Sequence, residues 1–228
     1  MVRAVLFDLD DTLYPELDFV RSAMAAVADA IAARCGVAAT SARAALDHAL
    51  SRHGRGQTID LALDALGIAR SAALVVELVA IYRGHAPRLA LHADAARALV
   101  RLSDRGLVLG LVTDGDPAVQ RAKARALELE RWMRHLRFTW DDGPSRQKPH
   151  PDAFRGALAA LGVAGHEAVY VGDNPIKDFI GARALGLGTI RLLRGPFRDL
   201  AASPGCEPDI AIDSHDDLDD ALAGAASA

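Results

Sequence analysis

The sequence predicts an α/β fold, a parallel sheet with crossover helices that is interrupted early by an all-helical insert. Three observations lead there. Short runs of β-forming residues, nearly all apolar, recur along the chain, as strands buried on both faces of a parallel sheet do. Between the later runs lie segments with helical spacing, and strand alternating with helix argues for crossover connections. From about Leu17 to Arg83 that rhythm stops, and the chain reads only as Ala-rich helices.

Taken in order, "AVLFDL" (4–9) is the first strand. The insert follows, with breaks at "RCGV", "RHGRGQT" and "LGIARS", and "GHAPRLALH" (84–92) brings the chain back to the sheet. This divides the chain into a core domain of residues 1–16 and 84–228 and a helical domain of residues 17–83. The next strands are "LVLGLV" (107–112), "LRFTW" (136–140), "AVYVG" (168–172), "GTIRLL" (188–193) and a weaker "DIAI" (209–212). Helices are expected over "PAVQRAKARALELERWM" (117–133), "PDAFRGALAALG" (151–162) and "PIKDFIGARALG" (175–186), the last two running into glycines suited to C-caps. Near the end, "SHDDLDDALAG" (214–224) reads as a short helix capped by Ser214 with a charged face, and the tail "AGAASA" (223–228) is expected to fray.

Composition excludes several classes. With 228 residues the chain can bury a sizeable core. Its 51% hydrophobic and 25% charged content is ordinary for a globular protein. A net charge of −4 offers no nucleic-acid footprint and no polybasic membrane surface. Cys35 and Cys206 stand far apart in no CxxC arrangement, which argues against a disulfide framework or a thiolate zinc site. The opening "MVRAVLFDLDD" does not read as a signal peptide, and no apolar run reaches the roughly 18 residues of a membrane span. A soluble, cytoplasmic protein is expected. The histidines show no metal-ligand spacing, and Trp132 and Trp140 read as packing or surface residues.

The strand ends carry the chemistry. Asp8, Asp10 and Asp11 follow an apolar run, with Thr12 directly behind. Two unit charges about 4 Å apart repel by roughly 4 kcal/mol at an effective dielectric near 20. Such crowding needs a cation or a chemical use. "TDGDP" (113–117) follows the second strand, "QKPHP" (147–151) the third and "GDNPIKD" (172–178) the fourth. In an open α/β sheet ligands bind beyond the carboxyl ends of the strands. Pro117, Pro151 and Pro175 are placed to open the next helices, whose N-termini would face an anion such as phosphate. Lys148 adds a positive charge, while Asp8, Asp10 and Asp173 suit a hard cation. Magnesium fits one or two carboxylates plus a substrate phosphate.

"DLDDT", "VTDG", "KPHPDAF" and "VGDNPIKD", in that order and at those separations, resemble the haloacid dehalogenase (HAD) superfamily over the whole chain. The resemblance implies a Rossmann-like core with an inserted helical cap, and a phosphatase acting on a small phosphorylated molecule. It makes Asp8 the nucleophile that takes the phosphoryl group and Asp10 the acid that protonates the leaving oxygen, then activates water. Thr113, Asp114 and Gly115 would hold the phosphate, and Lys148 would neutralise charge. Asp8, the Asp10 carbonyl and Asp173 would bind Mg2+, with Asp178 as a further ligand or a partner behind the ligands. Asp114 departs from the family, which most often has Asn there. Asp10 argues against the dehalogenating and phosphonate-cleaving branches. A sugar phosphomutase shares both acids, and an idle binding protein on this fold would be expected to lose Asp8 or Lys148. The insert segment "SRHGRGQT" (51–58), with Arg52 and Arg55, is either a solvated loop or a reader of the leaving group. Oligomeric state is not written in the sequence.

Overall fold

A computed structural model describes residues 1–225, so the fraying expected of the tail falls, for residues 226–228, outside the described residues. Strand β1 (Ala4–Phe7) leads into helices α1 (Glu16–Cys35), α2 (Ala39–His53), α3 (Thr58–Ala65) and α4 (Ala72–Gly84). Then come α5 (Ala93–Asp104), β2 (Val108–Thr113), α6 (Pro117–Ala126), β3 (His135–Phe138) and α7 (Asp152–Leu161). The chain continues through β4 (Ala168–Gly172), α8 (Ile180–Arg183), β5 (Gly188–Leu192), β6 (Ile210–Ile212) and α9 (Leu218–Ala225).

The strands form one sheet in the order β3-β2-β1-β4-β5-β6, and every neighbouring pair is parallel. The chain first builds outward from β1 through β2 to β3, then crosses to the other side of β1 for β4. That reversal is the switch point at which such sheets open a crevice. Beneath it, Leu6, Val112, Phe154, Tyr170 and Phe179 are fully buried in one core cluster. Phe154 and Tyr170 meet edge to face, centroids 4.9 Å apart at 83°, an arrangement worth about 1 kcal/mol beyond area burial.

The chain divides into two compact units, Met1–Glu16 with the chain from Leu89 onward, and Leu17–Arg88. The second is helical throughout, around its own core of Val20, Met24, Val27, Ile31, Leu46 and Leu78. In it, Arg52 lies in the last turn of α2, and Gly54 closes that helix with φ +70°.

Several elements differ from expectation. The helix expected over 117–133 stops at Ala126, and Glu128 turns left-handed at φ 52°. On a continued helix Leu127 and Leu129 would point about 200° apart, and the break lets both be buried. The helix expected over 175–186 shrinks to α8, because Asn174 Oδ1 accepts from Ile176 N and Asp178 Oδ2 accepts from Asn174 N. Side chains that bond to nearby backbone in this way compete with helix formation. Pro117 does open α6 behind an Asp116 cap, whereas Pro151 precedes α7 and Pro175 opens no helix. Helix α5, left unassigned above, has its signal in Ala95, Ala98, Leu99 and Leu102, all buried on one face. His215, read as part of a charged face, is fully buried, its backbone N–H 3.0 Å from Asp94 Oδ2.

Candidate active site

The carboxyl ends of β1, β2 and β4 bring Asp8, Asp10, Asp114, Gly115 and Asp173, and the connection from β3 to α7 brings Lys148, around a crevice of about 380 Å³. Thr113 is not among its lining residues. It sits buried at the end of β2, its hydroxyl 2.7 Å from Gln120 Nε2. Asp178 lies deeper still, fully buried.

Lys148 organises one side. Its Nζ donates to Asp8 Oδ1 at 2.7 Å, Asp178 Oδ1 at 2.8 Å and the Tyr170 hydroxyl at 2.8 Å. Asp178 can come this close to β4 because position 172 is glycine. A Cβ there would meet Asp178 Oδ2 at 2.4 Å. Asp173 completes the group, and single oxygens of Asp8, Asp173 and Asp178 all lie within 4.8 Å of one another.

On this side three carboxyl groups, those of Asp8, Asp173 and Asp178, crowd the one buried ammonium of Lys148. Burial pushes the Asp8 carboxyl up to about 6, with Lys148 opposing and Asp178 adding to the rise. Burial and then the Asp8 and Asp178 charges push Asp173 up to about 9. Burial alone would lower Lys148, but Asp178 and Asp8 hold it well above the usual lysine range. Asp173 Oδ2 is buried and, among the described residues, has no hydrogen-bond partner. A buried polar atom without a partner is rare and asks for a ligand. Hard oxygen donors, excess negative charge and an unpaired oxygen together make a buried aspartate cluster able to hold a metal ion.

Asp10 has different company. Lys123 Nζ lies 2.7 and 2.9 Å from its two oxygens, Gln120 Nε2 is 2.9 Å from Oδ2, and the Tyr14 hydroxyl is 2.5 Å from Oδ1. Burial works to raise this carboxyl, but the Lys123 charge and the three donors outweigh it and hold it below the ordinary range. Asp11, beside it, takes a left-handed turn at φ 55°, a conformation that aspartate tolerates better than most residues.

The Asp114 side chain braces the loops. Its Oδ1 accepts from Thr139 Oγ1 at 2.7 Å and from Lys148 N at 3.1 Å, and Lys177 Nζ is 3.4 Å from Oδ2. Trp140, read above as packing or surface, lines the crevice with its indole N–H donating to Gln147 Oε1 at 2.7 Å. Sequence reasoning also missed Tyr14, Gln120, Lys123 and Lys177. For Gln120 and Lys123 a signal existed: they stand at i and i+3 on α6 with Ala124, and all three are buried. A lysine on the inward face of a helix implies a buried anion.

Among the described residues, no helix is long and apolar enough to cross a membrane. A family model for haloacid dehalogenase-like hydrolases matches residues 2–186. A glyceraldehyde 3-phosphate phosphatase from Methanopyrus kandleri is 31% identical, across 97% of this chain and 97% of its own. A phosphoglycolate phosphatase from Xanthomonas campestris is 31% identical, across 85% of this chain and 84% of its own. Among solved structures, a HAD phosphatase from Thermococcus onnurineus superposes with a TM-score of 0.62 at 26% identity, covering 98% of this chain and 99% of its own.

Proposed function

This chain belongs to the haloacid dehalogenase-like hydrolase family, and on that premise we propose that it is a magnesium-dependent phosphatase of small phosphate monoesters. Relatives named for glyceraldehyde 3-phosphate and phosphoglycolate support the substrate class. The observation that carries the reading is the Asp8 carboxylate, buried, held by Lys148 at 2.7 Å and set beside the unpartnered Asp173 Oδ2.

In the first half-reaction an Asp8 oxygen bonds to phosphorus while the bond from phosphorus to the leaving oxygen breaks. Asp10, whose surroundings favour its ionised form, takes up a proton from the monoanionic ester as it binds and gives that proton to the leaving oxygen. In the second half Asp10 takes a proton from water, the water oxygen attacks the aspartyl-phosphate, and phosphate leaves with Asp8 restored. Lys148 holds Asp8 and balances charge on the transferring group. Asp8 and Asp173 would hold the magnesium, which when bound screens the phosphate's negative charge from the carboxylates. Asp178, both of whose oxygens already accept hydrogen bonds, acts behind them by fixing Lys148. Gly115 and the backbone around Asp114 would receive the phosphate. The helical unit, inserted in the chain between β1 and β2, is proposed as the cap that selects the leaving group.

The test is a panel of glyceraldehyde 3-phosphate, phosphoglycolate, sugar phosphates and an aryl phosphate, assayed with and without magnesium. Release of one inorganic phosphate per alcohol, abolished by chelation, is expected. Isomerised sugar phosphate without phosphate release would favour a mutase, and full activity after exhaustive chelation would sink the metal assignment.

A further inference from the structure

Lys123 and Gln120 are deeply buried, at 3% and 2% exposure, and both meet Asp10. Four contacts converge on the two oxygens of this one carboxylate: two from Lys123, one from Gln120 and one from Tyr14. Glu16 Oε1 also stands 4.0 Å from Lys123 Nζ. The donors come from both sides of the crevice floor, Tyr14 from the turn after β1 and the other two from α6. A single ion pair would leave the carboxylate free to swivel about its side-chain torsions. Donors on both oxygens leave one orientation, and because they occupy about four lone-pair sites, one contact opens when Asp10 takes up a proton. Gln120 goes further, because its Nε2 also lies 2.7 Å from Thr113 Oγ1, which ties the Asp10 side chain to the end of β2. Replacing a buried ion pair by apolar residues is often harmless to stability, so the contacts are not explained by folding alone.

We propose that Lys123, with Gln120 and Tyr14, are positioning residues that hold Asp10 in the orientation from which it exchanges a proton with the leaving oxygen and then with the attacking water. None of the three touches the transferring phosphoryl group. They act through Asp10, and the inference rests on the phosphatase reading given above.

A role confined to Asp10 has a kinetic signature. An aryl phosphate with a good leaving group needs little protonation, whereas an alkyl phosphate needs it fully. General acid–base assistance contributes typically about 10²–10⁴-fold. Lys123→Met is expected to lower kcat/KM, which reads the first half-reaction alone, about 100-fold on the best alkyl phosphate of the panel and less than about tenfold on 4-nitrophenyl phosphate. Lys123→Arg should recover part of the alkyl loss. In an Asp10→Asn background Lys123→Met should change kcat/KM less than about twofold, since the group it positions is already gone. Gln120→Leu, which removes no charge, should show the same preference more weakly and carries the test if Lys123→Met does not fold by thermal unfolding. Equal losses on both substrates, or a full Lys123→Met loss persisting in the Asp10→Asn protein, would overturn the proposal. Asp8→Asn separates this from the larger reading. If that protein keeps turnover, the phosphatase mechanism itself fails. If it is dead while Lys123→Met hits both substrates equally, only the positioning role fails.

Discussion

Asp8 and Asp10 are the same residue type two positions apart, just past one strand, yet the fold surrounds them in opposite ways. Asp8 shares a single lysine with Asp178 and lies against Asp173, so its neighbourhood holds an excess of negative charge. Asp10 has Lys123 on both of its oxygens, with a tyrosine and a glutamine besides. Burial acts on both. It prevails at Asp8, whose carboxyl rises to about 6, and it is overcome at Asp10, whose carboxyl falls. In the metal-free protein Asp10 is therefore the more readily ionised of the two, so its work as an acid begins only when it takes up a proton as the phosphate ester binds. The side with unbalanced charge calls for a cation and a phosphoryl group. The balanced side is complete without either.

The largest effect that could break this comparison comes from amides at the two positions. Asp8→Asn should lower turnover by about 10⁴-fold or more on every substrate, because an amide cannot form the covalent intermediate. Asp10→Asn should cost about 10²–10⁴-fold on alkyl phosphates and spare an aryl phosphate in part. Mass spectrometry would exclude deamidation back to aspartate. Equal losses for the two variants on the aryl phosphate would show that the carboxylates do not divide the work.

Next in size are opposite changes in stability on the Asp8 side. Lys148→Met leaves three carboxylates without their ammonium, and in metal-free protein this should cost about 3–5 kcal/mol. Asp173→Asn removes a carboxyl that burial and the Asp8 and Asp178 charges disfavour and whose Oδ2 has no partner among the described residues, so metal-free protein should gain Tm, by about 2 °C or more. Both variants should lose magnesium-dependent activity. Magnesium at about 100 times its Kd should stabilise the native sequence by roughly 2.7 kcal/mol and the Asp173→Asn protein far less. If Asp173→Asn lowered the metal-free Tm, the excess of negative charge would be wrong. Scanning calorimetry with and without chelator reads all of these.

How much of this was legible in the sequence follows from where partners lie. Asp8, Asp10 and Asp173 could be found because each stands directly behind an apolar strand, a contrast visible within a few residues, whereas Lys148 lies well past β3 and was marked by "KPHPDAF". The strand order was not spelled out, but parallel strands joined by helices were. Lys123 was invisible as a partner of Asp10 because it lies 113 positions away, and pairings at that range are set by the sheet. The same holds for His215 and Asp94, which are 121 positions apart. Local rules failed where local bonds won: Asn174 and Asp178 bond to nearby backbone and cut short a helix that periodicity favoured.

Asp94 sharpens the comparison as a carboxylate that is paired as fully as Asp10 and lies away from the crevice lining. Arg194, Ser214 and the His215 N–H all donate to it, at 2.7, 3.0 and 3.0 Å from Oδ2. Burial opposes ionisation, but the bonds from His215 and Arg194 outweigh it and hold the group far below the usual range. A depressed native pKa stabilises the fold fully above the unfolded value, about 3.9, and the contribution is lost as pH falls through the native value. Asp94→Asn should therefore cost about 2 kcal/mol at pH 7, with a Tm deficit that narrows only in strong acid. Its kcat at pH 7 and a permissive temperature should stay within about twofold. A large kcat loss in folded protein would mean that lying away from the crevice does not separate structural from functional carboxylates here.

The smallest expected effect is at Asp114. Its Oδ1 accepts from Thr139 Oγ1 and Lys148 N, and only Oδ2 faces a charge, the part-exposed Lys177 at 3.4 Å. In Asp114→Asn the amide oxygen can keep both Oδ1 contacts, and the lost pairing with Lys177 is of the kind worth about 0–1 kcal/mol. We expect less than about threefold loss in kcat and a Tm shift within about 2 °C. Asp114→Leu has no acceptor at all, so Thr139 Oγ1 and Lys148 N lose a partner at a cost of about 1–3 kcal/mol each if no water replaces it. Lys148 then loses the brace on its backbone, and kcat should fall with stability. If Asp114→Asn were as damaging as Asp114→Leu, the negative charge at this position would matter more than the brace, and the Lys177 pair would belong with the Asp8 side of the crevice.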